Sequence, residues 1–300
     1  MSTSITTAFV AQYEREVHDL FQRYGGILRN TVRTKTGVVG STTTFQKIGK
    51  GAATTKARHG VITPNNVAHT TAVATLVDFY SGDWVDRLDE AKINIDERAA
   101  LARSGAWALG RKVDDQLLVA MDATTQTAVS ISLTGKSQFE NSMLEWVGNL
   151  NTNDVPNDGQ RYAAITPFAW RNIMKIDSFA RADWVGYDGL PFTQGAPIMR
   201  WKDWNGVKWC VHTGIAGLGT ATAKCMMWHT QAVGYATGAH PMNAAEAGYP
   251  TPIMADITWH GDRAAHFINH WMSGGAVLIE DTGVIEADID DTGSVIVSSS

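Results

Sequence analysis

One stretch constrains the fold of this chain more than any other: residues 94–123, NIDERAALARSGAWALGRKVDDQLLVAMDA. Its apolar or small residues recur at Ile95, Ala99, Ala102, Ala106, Leu109, Val113, Leu117 and Ala120, in steps of four and three that keep them on one helical face. Asn94 or Asp96 serves as the N-cap, and Asp96 and Glu97 suit the positive end of the helix dipole. At about 1.5 Å per residue the helix would run about 45 Å, the length of a spine rather than of a local packing element. Gly105 and Gly110 lie inside it at up to about 1 kcal/mol each, which predicts that another segment approaches closely there. Periodicity alone would equally suit a long core helix of an enzyme.

The rest of the chain narrows that choice. Three hundred residues make about two domains, or one large domain with insertions. Apolar residues are 44% and charged residues 18%, a globular balance. Eleven Trp serve either a Trp-rich core or surface buried against copies of the same chain. A net charge of -5 argues against a strongly basic nucleic-acid binder, but the charge is uneven. Residues 1–60 hold nine Lys and Arg against three acids, whereas residues 275–300 hold six acids and no base. Such ends attract each other within or between subunits, in a salt-sensitive way. Cys210 and Cys225 cannot form a disulfide framework, so a reducing compartment is expected. With no signal sequence and no apolar run long enough to span a membrane, the expectation is a soluble protein made in the cytoplasm.

Taken in order, residues 6–24 form an amphipathic arm helix stopped by Gly25-Gly26. Between Asn30 and Thr75 come twelve Thr and the bases Arg33, Lys35, Lys47, Lys50, Lys56 and Arg58, with too little apolar surface for a core. This predicts a long two-stranded excursion that needs a partner surface. A strand at 69–80, a turn at Ser81-Gly82-Asp83 and a short helix at 84–91 lead to the spine. Beyond it, strand 128–133, helix 138–150, strand 162–165 and a helix capped by Thr166-Pro167 and ending near Ile176 follow. Further strands are expected at 197–200, 207–213 and 224–229, then 254–259, 276–279 and 284–287, with HFINHWM in a short helix.

This order, together with KARHGVITP at 56–64, DFYSGDWVDRLDE at 78–90, FARADWVGYDGLP at 179–191 and ITWHGDRAAHFINHWMSGGAVLIEDTGVI at 257–285, resembles the Johnson-fold major capsid proteins of tailed bacteriophages. The resemblance covers nearly the whole chain. It implies an α+β fold with an N-terminal arm (1–26), an extended β-hairpin loop (27–75), a peripheral domain carrying the spine (76–135), an inserted axial domain (136–235) and a peripheral return with C-terminal strands (236–300). It also implies a structural protein of the virion, assembled in the host cytoplasm. Pentamers and hexamers would close into an icosahedral shell around double-stranded DNA, touched only weakly and non-specifically by this acidic chain. Further implied partners are a portal at one vertex, a separate scaffold protein, favoured by an arm that begins at once after Met1, and a decoration protein. No cofactor and no membrane is implied. The six loop bases are the expected inter-subunit contacts, lying across a neighbour's spine region, where residues 76–122 hold ten acids against six bases. An encapsulin-like compartment shell is the alternative within the same fold.

An enzyme reading rests on His260, Asp262, His266 and His270. On a helix, His266 and His270 would stack as zinc ligands do. Phe267 stands where the zincin pattern needs Glu, and core-type residues flank the histidines, so packed histidines are expected. Asp114-Asp115 and Asp290-Asp291 are expected to be solvated charge, since adjacent helical carboxylates point about 100° apart.

Overall fold

The computed structural model describes residues 26–87, 97–180, 201–239 and 254–293. The arm helix expected at 6–24 and the strand expected at 197–200 lie outside the described residues. The described residues enter strands β1 (Arg33–Val38) and β2 (Thr42–Ile48), cross an exposed loop, and return as β3 (His69–Thr75) and β4 (Val77–Asp86). Next come helix α1 (Glu97–Asp122), β5 (Val129–Ile131), α2 (Lys136–Thr152), β6 (Arg161–Ile165), α3 (Pro167–Ile173) and α4 (Asp177–Ala180). The remaining strands are β7 (Lys202–Trp204), β8 (Val207–Val211), β9 (Ala223–His229), β10 (Val233–Gly238), β11 (Met254–His260), β12 (Ala265–Leu278) and β13 (Val284–Ile289).

The spine forms as α1, whose 26 residues extend about 39 Å. Leu109, Val113, Leu117, Leu118 and Met121 bury its inner face. Both interior glycines meet the close approaches that their cost predicts. At Gly105 a side chain would collide with the His270 imidazole of β12, and the Gly110 carbonyl accepts the Gly26 N–H at 3.0 Å.

The spine lies against a five-stranded sheet ordered β1-β10-β12-β11, with β4 also paired to β12. The long strand β12 is its centre: antiparallel to β4 over Ala265–Gly274, to β11 over Ala265–Trp271, and to β10 over Gly274–Leu278. The short helix expected for HFINHWM is therefore strand. Ile268, His270 and Met272 are buried while Phe267, Asn269 and Trp271 stay half-exposed, an alternation of period two. Apolar residues four apart share a face in a helix and in a strand alike, and pairing on both edges decides for the strand. Nor does the chain turn at Ser81-Gly82-Asp83: β4 runs on to Asp86, and Gly82 makes room for the Phe267 ring.

A second, six-stranded sheet has the order β5-β13-β9-β6-β8-β7. Its apolar strands carry Ala163, Ala164, Ile165, Trp209, Met227 and Trp228 into the main core, which Phe139, Met143, Trp146 and Leu150 of α2 join. Thr166 caps α3 as expected, accepting the Ala169 N–H at 3.0 Å, with Pro167 at the first helical position. Two of the six strands, β5 and β13, come from outside residues 136–235. Val129, Ile131, Val284, Ile285, Ala287 and Ile289 are all buried there, and the Trp146 indole N–H donates to the Ile285 carbonyl at 3.1 Å. Strand β1 likewise pairs with β10 of the body, and Leu28 and Val32 enter the main core, so the free excursion starts after Val38 rather than at residue 27.

Candidate functional site

The excursion is an antiparallel hairpin in which β2 pairs with β3 from Thr42↔Thr75 to Ile48↔His69. Only its base is buried. Phe45 and Ala74 form a small satellite core with Ala236 and Ile279, where Gly234 admits the Phe45 ring. Residues 50–66 are exposed apart from Gly60 at intermediate exposure, and Val61 and Ile62 are 92% and 67% exposed.

The six predicted bases divide into three groups. Arg33 and Lys35 lie on β1, and the Arg33 guanidinium sits 5.8 Å from the Phe45 ring centroid. Lys47 and Lys50 turn back onto the same chain, Lys47 pairing with Glu280 at 3.2 Å and Lys50 with Asp154. Solvent screens these exposed pairs, so they hold the loop only weakly. Lys56 and Arg58 stand exposed at the tip, with no ion pair to another described residue.

The histidines do not converge. In a strand His266 and His270 are about 13 Å apart, His266 packing at a tilt against Trp259 at 4.8 Å and His270 lying buried against Gly105. His260 instead packs edge-on against Trp84 at 5.0 Å. Among the described residues no three His, Cys, Asp or Glu side chains gather as metal ligands.

One member of each acidic pair is buried, contrary to the solvated reading. Asp114 is fully buried and accepts the Ile27 and Leu28 N–H groups at 3.2 and 3.0 Å. Beside it, His212 Nδ1 accepts the Gly214 N–H at 3.1 Å, which leaves the ring hydrogen on Nε2, 3.4 Å from Asp114. Asp291 accepts the Thr166 hydroxyl at 2.6 Å and the Gly219 N–H at 3.1 Å. Each carboxylate pins loop backbone or a helix start. A similar clasp holds the end of the spine: Asp281 accepts the Thr125 N–H at 2.8 Å and side-chain bonds from Thr124, Thr125 and Gln126. Burial pushes its carboxyl up, but these hydrogen bonds outweigh burial and bring it down to about 2.

A cleft of about 330 Å³ opens between α1 and β9, lined by Leu118, Val119, Met226 and Ala216. Lys224 crosses its edge, 2.6 Å from Asp122 and 3.4 Å from Glu286. The thiols are sealed away. Cys210 and Cys225 sit on strands either side of β6, about 10 Å apart, too far for a disulfide, and burial pushes Cys225 up to about 12.

A sequence model of the phage capsid protein family matches residues 5–291. The chain belongs to that family. It is a phage major capsid protein, a structural component of the virion shell and not an enzyme. Solved capsids share the fold of this capsid protein at low identity. The capsid of cyanophage P-SCSP1u is similar over 96% of this chain and 95% of its own, at 14% identity and a TM-score of 0.72. The mature capsid of bacteriophage PhiM1 matches over 93% and 91%, at 10% identity and a TM-score of 0.67. The cyanophage Pam1 capsid matches over 96% and 98%, at 12% identity and a TM-score of 0.66. No curated protein matches the sequence. The capsid protein thus has the expected Johnson-type α+β fold, and self-assembly into shell oligomers follows from the family. Neither the compartment-shell alternative nor the metal-enzyme alternative gains support.

Proposed function

We propose that this capsid protein forms pentamers and hexamers that close into an icosahedral shell around double-stranded DNA. Its arm is 1–26, its extended loop lies within 27–75, its peripheral domain is 76–135 with the return from 236, and its axial domain is centred on 136–235 and completed by β5 and β13. The loop bases contact a neighbour, and Lys56 and Arg58 carry most of that role because Lys47 and Lys50 are engaged at home. A separate scaffold protein guides assembly, a portal occupies one vertex, a decoration protein binds the finished shell, and DNA contact is weak and non-specific.

The single observation that carries this reading is the hairpin tip, which exposes Val61, Ile62, Lys56 and Arg58 with no body of its own beneath them. The subunit is complete only when a neighbour covers that tip. Replacing residues 51–67 with a two-residue Asn-Gly turn tests it. The folded base, with Phe45 in its satellite core, is kept. The expected result is a subunit with unchanged circular dichroism that sediments without forming shells; shells of normal size would overturn the reading.

A further inference from the structure

The cleft of about 330 Å³ beside the spine has walls of unlike origin. One wall is the last two turns of α1, which present Asp115, Leu118, Val119 and Asp122. The other is built from Gly214, Ala216, Lys224 and Met226. Leu118 and Met226 are buried, whereas Val119 is 72% exposed. The four α1 residues fall at i, i+3, i+4 and i+7, the stripe that one helix offers to another. Its apolar centre is flanked by carboxylates seven residues apart, about 10 Å along the axis.

Charge narrows what can fill this groove. Asp115, Asp122 and Glu286 stand against the single base Lys224, whose ammonium lies 2.6 Å from Asp122 and 3.4 Å from Glu286. Lys224 is shared between two of these carboxylates, so the groove keeps a surplus of negative charge. A cationic amphipathic helix suits both features. Leu or Met side chains enter the cleft over Val119, and Lys or Arg lie beside Asp115 and Asp122, as opposite charges flank the apolar seam between paired helices. The terminal segments of this chain lack that composition. Residues 1–25 hold three acids against two bases, and residues 294–300 hold no charge. The basic hairpin is paired strand rather than helix.

We propose that the groove between α1 and β9 docks an amphipathic helix of a different polypeptide, one whose apolar pair is flanked by two Lys or Arg seven residues apart. This goes beyond the self-assembly reading and does not depend on the hairpin.

The probe is a fluorescently labelled, alanine-based helical peptide containing Lys-x-x-Leu-Leu-x-x-Lys, compared with the same peptide carrying Glu in place of both Lys. Anisotropy reads its binding to the purified capsid protein at low salt, where opposite charges attract most strongly. Val119→Arg places a bulky cation in the groove, and Val119→Ser is the milder second variant. Val119 is exposed, so unchanged melting temperatures are expected for both. The wild-type chain should bind the Lys peptide saturably and at least tenfold more tightly than the Glu peptide, and Val119→Arg should lose tenfold or more. Under conditions in which the wild-type chain forms shells, Val119→Arg should form them equally well. No saturable binding of the Lys peptide, or equal binding by Val119→Arg, would overturn the proposal. So would loss of shells in that variant, or displacement of the probe by an unlabelled peptide of residues 6–24, since either would give the groove to a copy of this chain.

Discussion

Asp114 ties the start of the described chain to the spine, and its worth can be measured. Asp114→Ala would leave the buried Leu28 N–H and the half-buried Ile27 N–H without their acceptor, at a cost of about 2–4 kcal/mol. A fall in melting temperature of several degrees is expected, and an unchanged value would show that the clasp carries no stability. Asp281 gives a test in pH. Its carboxyl stands at about 2 against an ordinary 3.8, so its stabilisation is complete above about pH 4 and is lost as pH falls toward 2. Denaturant titration should show wild type exceeding Asp281→Asn by a constant margin near neutral pH, with the two curves converging between pH 4 and pH 2. A margin that stays constant down to pH 2 would contradict the assignment. Neither role was legible in the sequence. Asp114 reads as one of two adjacent helical acids, and what buries it is the chain segment at 27–28, 86 residues away from it in sequence. The close approaches at Gly105 and Gly110 were legible, because glycine inside a helix costs stability that some contact must justify.

At the scale of elements, the spine, the α2 helix and the Thr166 cap follow directly from periodicity and capping chemistry. The strand β12 does not, because HFINHWM puts apolar residues at intervals that suit either conformation, and only pairing with β4 and β11 settles it. The extended loop was legible from its Thr and its missing core, but its root was not. Leu28 and Val32 are too few to announce a core contact by pattern, yet both are buried in it. Phe45 holds the hairpin to the body. Phe45→Ala should cost about 3–4 kcal/mol locally, and amide hydrogen exchange should quicken across residues 42–48 and 69–75 while α1 and β9 keep their protection. Uniform quickening would mean that the hairpin and the body unfold as one unit.

For the whole molecule, the function of a capsid protein is spread over its surfaces rather than concentrated in one pocket. That explains why the sequence points to the family while the contacts are harder to read. Four of the six loop bases are legible as hairpin residues, but two of these, Lys47 and Lys50, turn out to face Glu280 and Asp154 of their own chain. Nor does the sequence say which Trp face the core: Trp146 is buried and Trp84 is 38% exposed. The central claim is that this chain builds shells from copies of itself, and negative-stain electron microscopy of the purified protein across a range of concentrations and salt tests it most directly. Closed shells, tubes or rings of five and six subunits are the predicted result, declining as salt screens the loop bases. Uniform monomers at every concentration and salt would contradict it.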